Sequence, residues 1–335
     1  MARGALNHQD YTPSFSGHET FPLKYGWLKK VFDAVDEMEK NQTPNGDAQA
    51  LFNSDEAIAK FGVGKNMVFS MRHWAISTGI LDLIGNQRNK NNFRISDLGH
   101  FLFGQMGCDP YLENPNTLWL LHWLLASKSK KTLFYWLFNL YNQPSFNKDK
   151  LVNGINNLIA DHPQWKKVSL NTIGRDIDCL INTYTSKTLK KKLSHEDTIE
   201  CPFAELGLIT VQKQGEFLLR RGPRHSLGDG IFLYALVEFW KNYSSAQTLT
   251  FETVLHTEGS PGKIFCLDET DLADRIIRLE DISKGDLVWS QSAGLRQLIA
   301  KKKSICSIAL ITSNRHTTDA AQRKSQCRPS ISTSD

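Results

Sequence analysis

The chain has 335 residues, 40 % hydrophobic and 22 % charged, the balance of a folded globular protein and long enough for two or three packed subdomains. No apolar run reaches the roughly 18–20 residues that a membrane span needs, and Met1 to Thr12 lacks the apolar stretch of a secretory signal, so a cytoplasmic protein is expected. The net charge of +5 belongs to the tail: seven basic and two acidic residues from Lys301 onward leave 33 of each sign before it, so only local patches can point to nucleic acid.

The expected fold class is mainly α with small β-hairpins. A winged helix-turn-helix is expected over 14–104, an aromatic-rich helical middle over 105–245, a winged-helix-like unit over 246–300, and a disordered basic tail over 301–335. In chain order, an amphipathic helix is expected over Leu23 to Phe32, with Trp27, Leu28, Val31 and Phe32 on one face. Asn41 to Asp47 reads as a polar loop. Ser54 is placed to cap a short helix over Asp55 to Phe61. After the turn Gly62–Lys65, a second helix over Asn66 to Thr78 sets Met67, Met71, Trp74 and Ala75 on an apolar face, and Gly79 ends it. Strands are expected over Ile80 to Ile84 and Phe93 to Ile95, with Ser96-Asp97 capping the next helix. This order describes a winged helix-turn-helix.

The aromatic helices over 109–160 read as core. A second helix-turn-helix-like stretch is expected, with Val168 to Ile173 leading into a helix through Tyr184, and the charged run Lys187 to Lys192 reads as a linker or a solvated helix end. Then come a short helix near Phe203, a strand at Phe217 to Arg220 and an aromatic helix over Gly230 to Tyr243. Ser260 to Lys263 caps a helix, Asp271 to Leu279 forms another, and Leu287-Val288-Trp289 reads as a final strand. The six cysteines include no CxxC pair, which disfavours structural zinc and leaves buried or free thiols.

Between Lys65 and Arg94 the basic residues are Lys65, Arg72, Arg88, Lys90 and Arg94, with His73 in addition, against one acid, Asp82. A second helix of this kind can enter the major groove with Asn66, Ser70 and His73 near base edges, while a wing carrying Arg88 and Lys90 straddles phosphates. The competing reading is a winged helix used for protein contacts. Gly62-Val63-Gly64-Lys65 lacks the spacing of a phosphate loop. Gly17-His18-Glu19-Thr20 gathers a base, an acid and a hydroxyl, which suits acid–base or metal chemistry. Its structural alternative is a helix entry in which Glu19 and Thr20 satisfy backbone donors. The acidic run Asp268 to Asp271 with Asp274 reads as favourable charge at a helix start, and Asp176 and Asp178, two apart on a helix, do not share a face.

Ser16-Gly17-His18-Glu19-Thr20-Phe21 with Tyr25 to Lys30, Gly62 to Val68 with Met71-Arg72 and Trp74, and Ser96 to Gly99 resemble a bacterial family of unknown-function domains encoded in DNA phosphorothioation loci of the Ssp type. Asp109 to Glu113, Leu118 to Trp123, Ser260 to Leu267 and Gly294 to Gln297 extend the resemblance, which covers about Ser14 to Leu298. The resemblance implies a DNA-nicking or DNA-docking role on double-stranded DNA, with a cysteine desulfurase, an ATPase and a PAPS-reductase-like sulfur-transfer protein as partners. A nickase would use Mg2+ or Mn2+, with His18 and Glu19 the catalytic candidates. The alternatives are a non-catalytic adaptor and a winged-helix transcription regulator.

Overall fold

The computed structural model describes residues 4–41, 50–53, 55–84, 92–165, 168–186, 201–213, 215–292 and 294–301. The protein is mainly helical, with small antiparallel sheets. Its first long helix, α1 (Trp27–Lys40), starts later than the sequence periodicity suggests, because Gly26 sits at φ 78° and cannot continue a helix backwards. The expected face is right: Trp27, Leu28, Val31 and Phe32 are all buried. Next come α2 (Ala50–Asn53), α3 (Asp55–Phe61) and α4 (Lys65–Ser77), followed by a hairpin of β1 (Leu81–Ile84) and β2 (Asn92–Ile95). In that hairpin Asp82 lies opposite Arg94. Ser96 caps α5 (Asp97–Phe103) by accepting the Gly99 N–H at 2.9 Å.

Two apolar helices, α6 (Pro115–Ala126) and α7 (Thr132–Asn139), carry the aromatic centre. Hydrophobic on nearly every side, they bury most of their side chains, while Leu120 and Leu124 of α6 stay partly exposed. Within them His122 is wholly enclosed, with ring contacts to Trp119, Phe138, Tyr184 and Phe265. One ring nitrogen lies 2.8 Å from the Ile264 carbonyl, which can only accept, so Nε2 carries the proton. Nδ1 therefore accepts the Tyr184 hydroxyl at 2.7 Å. Burial pulls the imidazole pKa down to about 4, so it is a neutral connector of three chain segments at ordinary pH.

The chain continues through β3 (Ser145–Asn147), α8 (Lys148–Ala160), α9 (Leu170–Tyr184), a 3-10 turn at Pro202–Leu206, β4 (Ile209–Lys213) and β5 (Glu216–Leu219). β5 is the middle strand between β3 and β4. After α10 (Asp229–Tyr243) come β6 (Thr248–Thr250), α11 (Phe251–His256), α12 (Pro261–Ile264), α13 (Glu269–Ile282), β7 (Leu287–Ser292) and β8 (Leu295–Ala300). The third sheet runs β6-β8-β7, so the strand at Leu287 is not the last: β8 lies between it and β6. No described helix is long and apolar enough to cross a membrane. The Ser54 cap, nearly all of the Asn41–Asp47 loop, the Lys187–Lys192 run and the tail beyond Lys301 lie outside the described residues.

Candidate nucleic-acid interface and a buried histidine cluster

The exposed stripe of α4 begins at its first turn. Lys65 and Asn66 are exposed there. The Lys65 Nζ lies 5.9 Å from the Phe69 ring, and the Arg72 guanidinium 5.8 Å from Phe69 and 6.0 Å from Phe52. Positions 65, 69 and 72 follow the i, i+4, i+7 spacing of one helix face, so two cations flank a half-buried aromatic. Burial lowers the Arg72 pKa, but an arginine stays charged throughout the ordinary range. Arg94 is exposed on β2. Arg88 and Lys90 lie outside the described residues.

Ser70 and His73 do not belong to that surface, which corrects the expectation that they approach base edges. Ser70 is fully buried and donates to the Phe21 carbonyl at 3.3 Å. The same carbonyl accepts from Trp74 Nε1 at 3.0 Å. The chain over Ser14 to Phe21 thus covers the 70/73/74 side of α4. Spacing alone could not reveal this, because the covering segment is remote in sequence.

The covering segment holds a strained turn. Ser16 (φ 66°), Glu19 (φ 46°) and Thr20 (φ 70°) are left-handed without being glycine, and Gly17 lies between them at φ 93°. Each such L-residue costs roughly 1–2 kcal/mol, so the surroundings must over-determine the shape. His18 and Asp176 of α9, both about nine-tenths or more buried, do so. The Asp176 carboxylate accepts the Ser16 N–H on Oδ2 at 2.7 Å and His18 Nε2–H on Oδ1 at 2.9 Å. The other ring nitrogen, Nδ1, accepts the Thr20 N–H at 3.0 Å. Nε2 is therefore the protonated nitrogen, and His18 is held as a neutral ring against a carboxylate.

The pairing expected at this motif is corrected accordingly. The partner of His18 is Asp176, not Glu19, whose side chain is exposed and forms no hydrogen bond or ion pair among the described residues. Nor do Glu19 and Thr20 satisfy backbone donors; the His18 ring does. Asp178 faces away, exposed and paired with Lys148 at 2.6 Å, in line with positions two apart on a helix.

Behind the turn, the His73 ring meets the His18 ring edge-on, with centroids 5.7 Å apart. Lys131, at the start of α7, reaches His73 Nδ1 at 3.5 Å. It makes no ion pair among the described residues. Burial lowers its pKa to about 8, against the opposing pull of Asp176. Burial and the neighbouring Lys131 hold His73 well below the usual histidine range, so its ring stays neutral beside the ammonium. Lys131 is the site residue that sequence reading missed: it sits among lysines in Lys128-Ser129-Lys130-Lys131, and nothing local separates it from a solvated run.

Acidic residues elsewhere are structural. Asp268 caps α13 by accepting the Asp271 N–H at 2.8 Å, and Asp229 and Asp271 hold the buried Arg275, each at 3.2 Å. Among the described residues no three His, Cys, Asp or Glu side chains converge as a metal site. A hard divalent cation wants several oxygen ligands, whereas both Asp176 oxygens are already committed and Glu19 stands alone.

Fold and site together define a mainly helical protein with a cationic, aromatic-backed helix face beside a histidine–aspartate pair that fixes a strained turn. Residues 15–313 match the family described as a protein of unknown function, DUF4007, and the chain belongs to that family. It is similar to a magnesium-ion-bound SspB crystal structure at 27% identity and TM-score 0.77, over 96% of this chain and 91% of that one. A second SspB crystal structure matches at 27% identity and TM-score 0.75 over the same shares. No curated protein matches the chain.

Proposed function

We propose that this protein is a DNA-binding component of a bacterial DNA phosphorothioation system, acting with sulfur-transfer partners of the kinds named above. The observation that carries the reading is the similarity to SspB over nearly the whole chain. The DNA contact is supported by the order α3, turn, α4, hairpin, which is that of a winged helix-turn-helix. Lys65, Asn66 and Arg72 would meet the duplex from α4, and Arg94 from the hairpin. Lysine and arginine at such positions act mainly on phosphates and supply affinity more than sequence choice.

Two roles fit a DNA-bound protein of this kind. In a docking role the protein presents the duplex to its partners. In a nicking role one strand is cut, and magnesium comes into question because one SspB structure holds it. The described residues offer no assembled oxygen cage, and we derive no step through a metal. The committed Asp176 and the solitary Glu19 favour docking.

The test is a supercoiled plasmid incubated with the purified full chain, with and without magnesium or manganese. Retardation at low salt without open-circle product is expected for docking. Open-circle product that vanishes with chelator would establish nicking instead. Neither retardation nor cleavage would sink the DNA reading altogether.

A further inference from the structure

A groove of about 1230 Å³ runs between the β1–β2 hairpin, the start of α5, α6 and the turn that joins α6 to α7. Its lining includes apolar side chains, among them Leu98, Phe101, Leu120 and Leu124, with Tyr234 from α10. The hairpin adds Leu83 and Ile84, which are about half exposed, at 52% and 47%, and unpaired by any core. The lining is also cationic: Lys128, Lys130 and Lys131 lie within four residues of chain, and Arg94 comes from β2.

These lysines differ in what they already do. Lys128 is engaged by Glu238 at 3.6 Å. Lys130 is exposed with no ion pair among the described residues. Lys131 is half-buried, lines the groove and makes one long hydrogen bond, to the neutral His73, with no ion pair among the described residues. Two carboxylates, Asp82 and Asp97, also line the groove. Asp82 is on β1, opposite Arg94, and Asp97 is the first residue of α5.

We propose that this groove takes an unpaired stretch of DNA strand, with bases against the apolar lining and backbone phosphates on Lys130 and Lys131. The proposal rests on the DNA-binding reading above and extends it to a second site. Single-strand sites combine a cationic track for phosphates with aromatic side chains for base faces, and this lining holds Lys130 and Lys131 together with Phe101 and Tyr234. The groove slightly exceeds the roughly 300–1,000 Å³ that bury a drug-sized ligand, which suits a few nucleotides and not a duplex. The C-terminal end of α4 also lines it through Ile76 and Ser77. A strand leaving a duplex held on the Lys65–Arg72 face therefore has a short path into it. Two lysines adjacent in the chain act as point charges on phosphate, matching a strand that carries one phosphate per nucleotide.

The experiment titrates the full chain against a fluorescein-labelled oligothymidylate and, separately, against a labelled duplex, by anisotropy over a range of salt. For Lys130→Gln with Lys131→Gln, single-strand affinity is expected to fall about tenfold at low salt, and the salt slope to flatten by about 0.7 for each phosphate that is no longer neutralised. Duplex affinity should stay unchanged. Lys65→Gln with Arg72→Gln should do the converse. Leu83→Ser with Ile84→Ser, at exposed positions that leave the fold intact, should weaken the single strand without changing its salt slope. Unchanged single-strand binding in the double lysine variant overturns the inference. So does a duplex that binds while the single strand is ignored, and so does a groove that instead captures an acidic amphipathic peptide competing with no DNA. Failure to bind either DNA removes the underlying DNA reading as well.

Discussion

Replacing Gly17 by alanine tests whether the turn is locked onto His73. Gly17 has φ 93°, and a Cβ there would stand 2.6 Å from His73 Nδ1 and 3.2 Å from its Cε1. The His73 ring is boxed by His18, Trp74 and Lys131 and has little room to yield. The left-handed backbone costs an alanine roughly 1–2 kcal/mol, and forcing an atom into a packed site roughly 1–3 kcal/mol more. Gly26→Ala is the control, since Gly26 has φ 78° but nothing within 4 Å of its virtual Cβ; it should show the backbone share alone. Urea unfolding should therefore place Gly17→Ala about 1–3 kcal/mol below Gly26→Ala. In a double-mutant cycle His73→Ala should absorb that excess. Equal losses at the two glycines, or an excess that survives removal of the ring, would refute the packing argument.

Asp176→Ala strips the buried His18 donor and the part-buried Ser16 N–H of their acceptor and should cost about 1–3 kcal/mol for the buried one and less for the other; Asp176→Asn, which keeps an acceptor oxygen, should cost clearly less in the same unfolding assay. Acid should weaken the fold through His122, whose pKa of about 4 lies below the roughly 6.5 of an unfolded histidine. Its contribution is complete above 6.5 and is lost as pH falls towards 4, amounting to about 3 kcal/mol; His122→Gln should remove that part of the pH dependence in stability curves from pH 7 to 4. Single-strand binding should weaken as pH rises through about 8, where Lys131 loses its charge. His73, His18 and Asp176 on the inner side, Arg72 nearby and Lys130 on the rim surround it. Lys131→Arg, charged at every pH used, should abolish the trend in anisotropy between pH 7 and 9.

Local signals carried most of the helices and failed for half of the strands. Ser96 and Ser260 cap helices as expected, because a cap is decided within four residues. β3 and β6 escaped notice because each is only three residues long and pairs far away, Phe146 with Phe217 and Leu249 with Leu298. β4 and β8 escaped too, although each follows a turn marked by glycine. The histidine motif drew attention through its residue types, yet its chemistry depends on Asp176, 158 positions onward. On α4 the hydrophobic spacing identified the core side but not the second buried side, since what covers Ser70 and His73 is a segment around Phe21 that shows no periodicity of its own.

The distance between His18 and Asp176 also sets an order of events during synthesis. The turn at Ser16 to Thr20 cannot hold its left-handed residues until the carboxylate that accepts from Ser16 and His18 has been made and α9 has packed. At roughly 5–20 residues per second, an interval of 158 residues lasts on the order of ten to thirty seconds. In the later part of that time, once α4 (Lys65–Ser77) has been made, its 70/73 side can be built but not covered, and a ribosome-bound chain exposes a face that the finished protein hides.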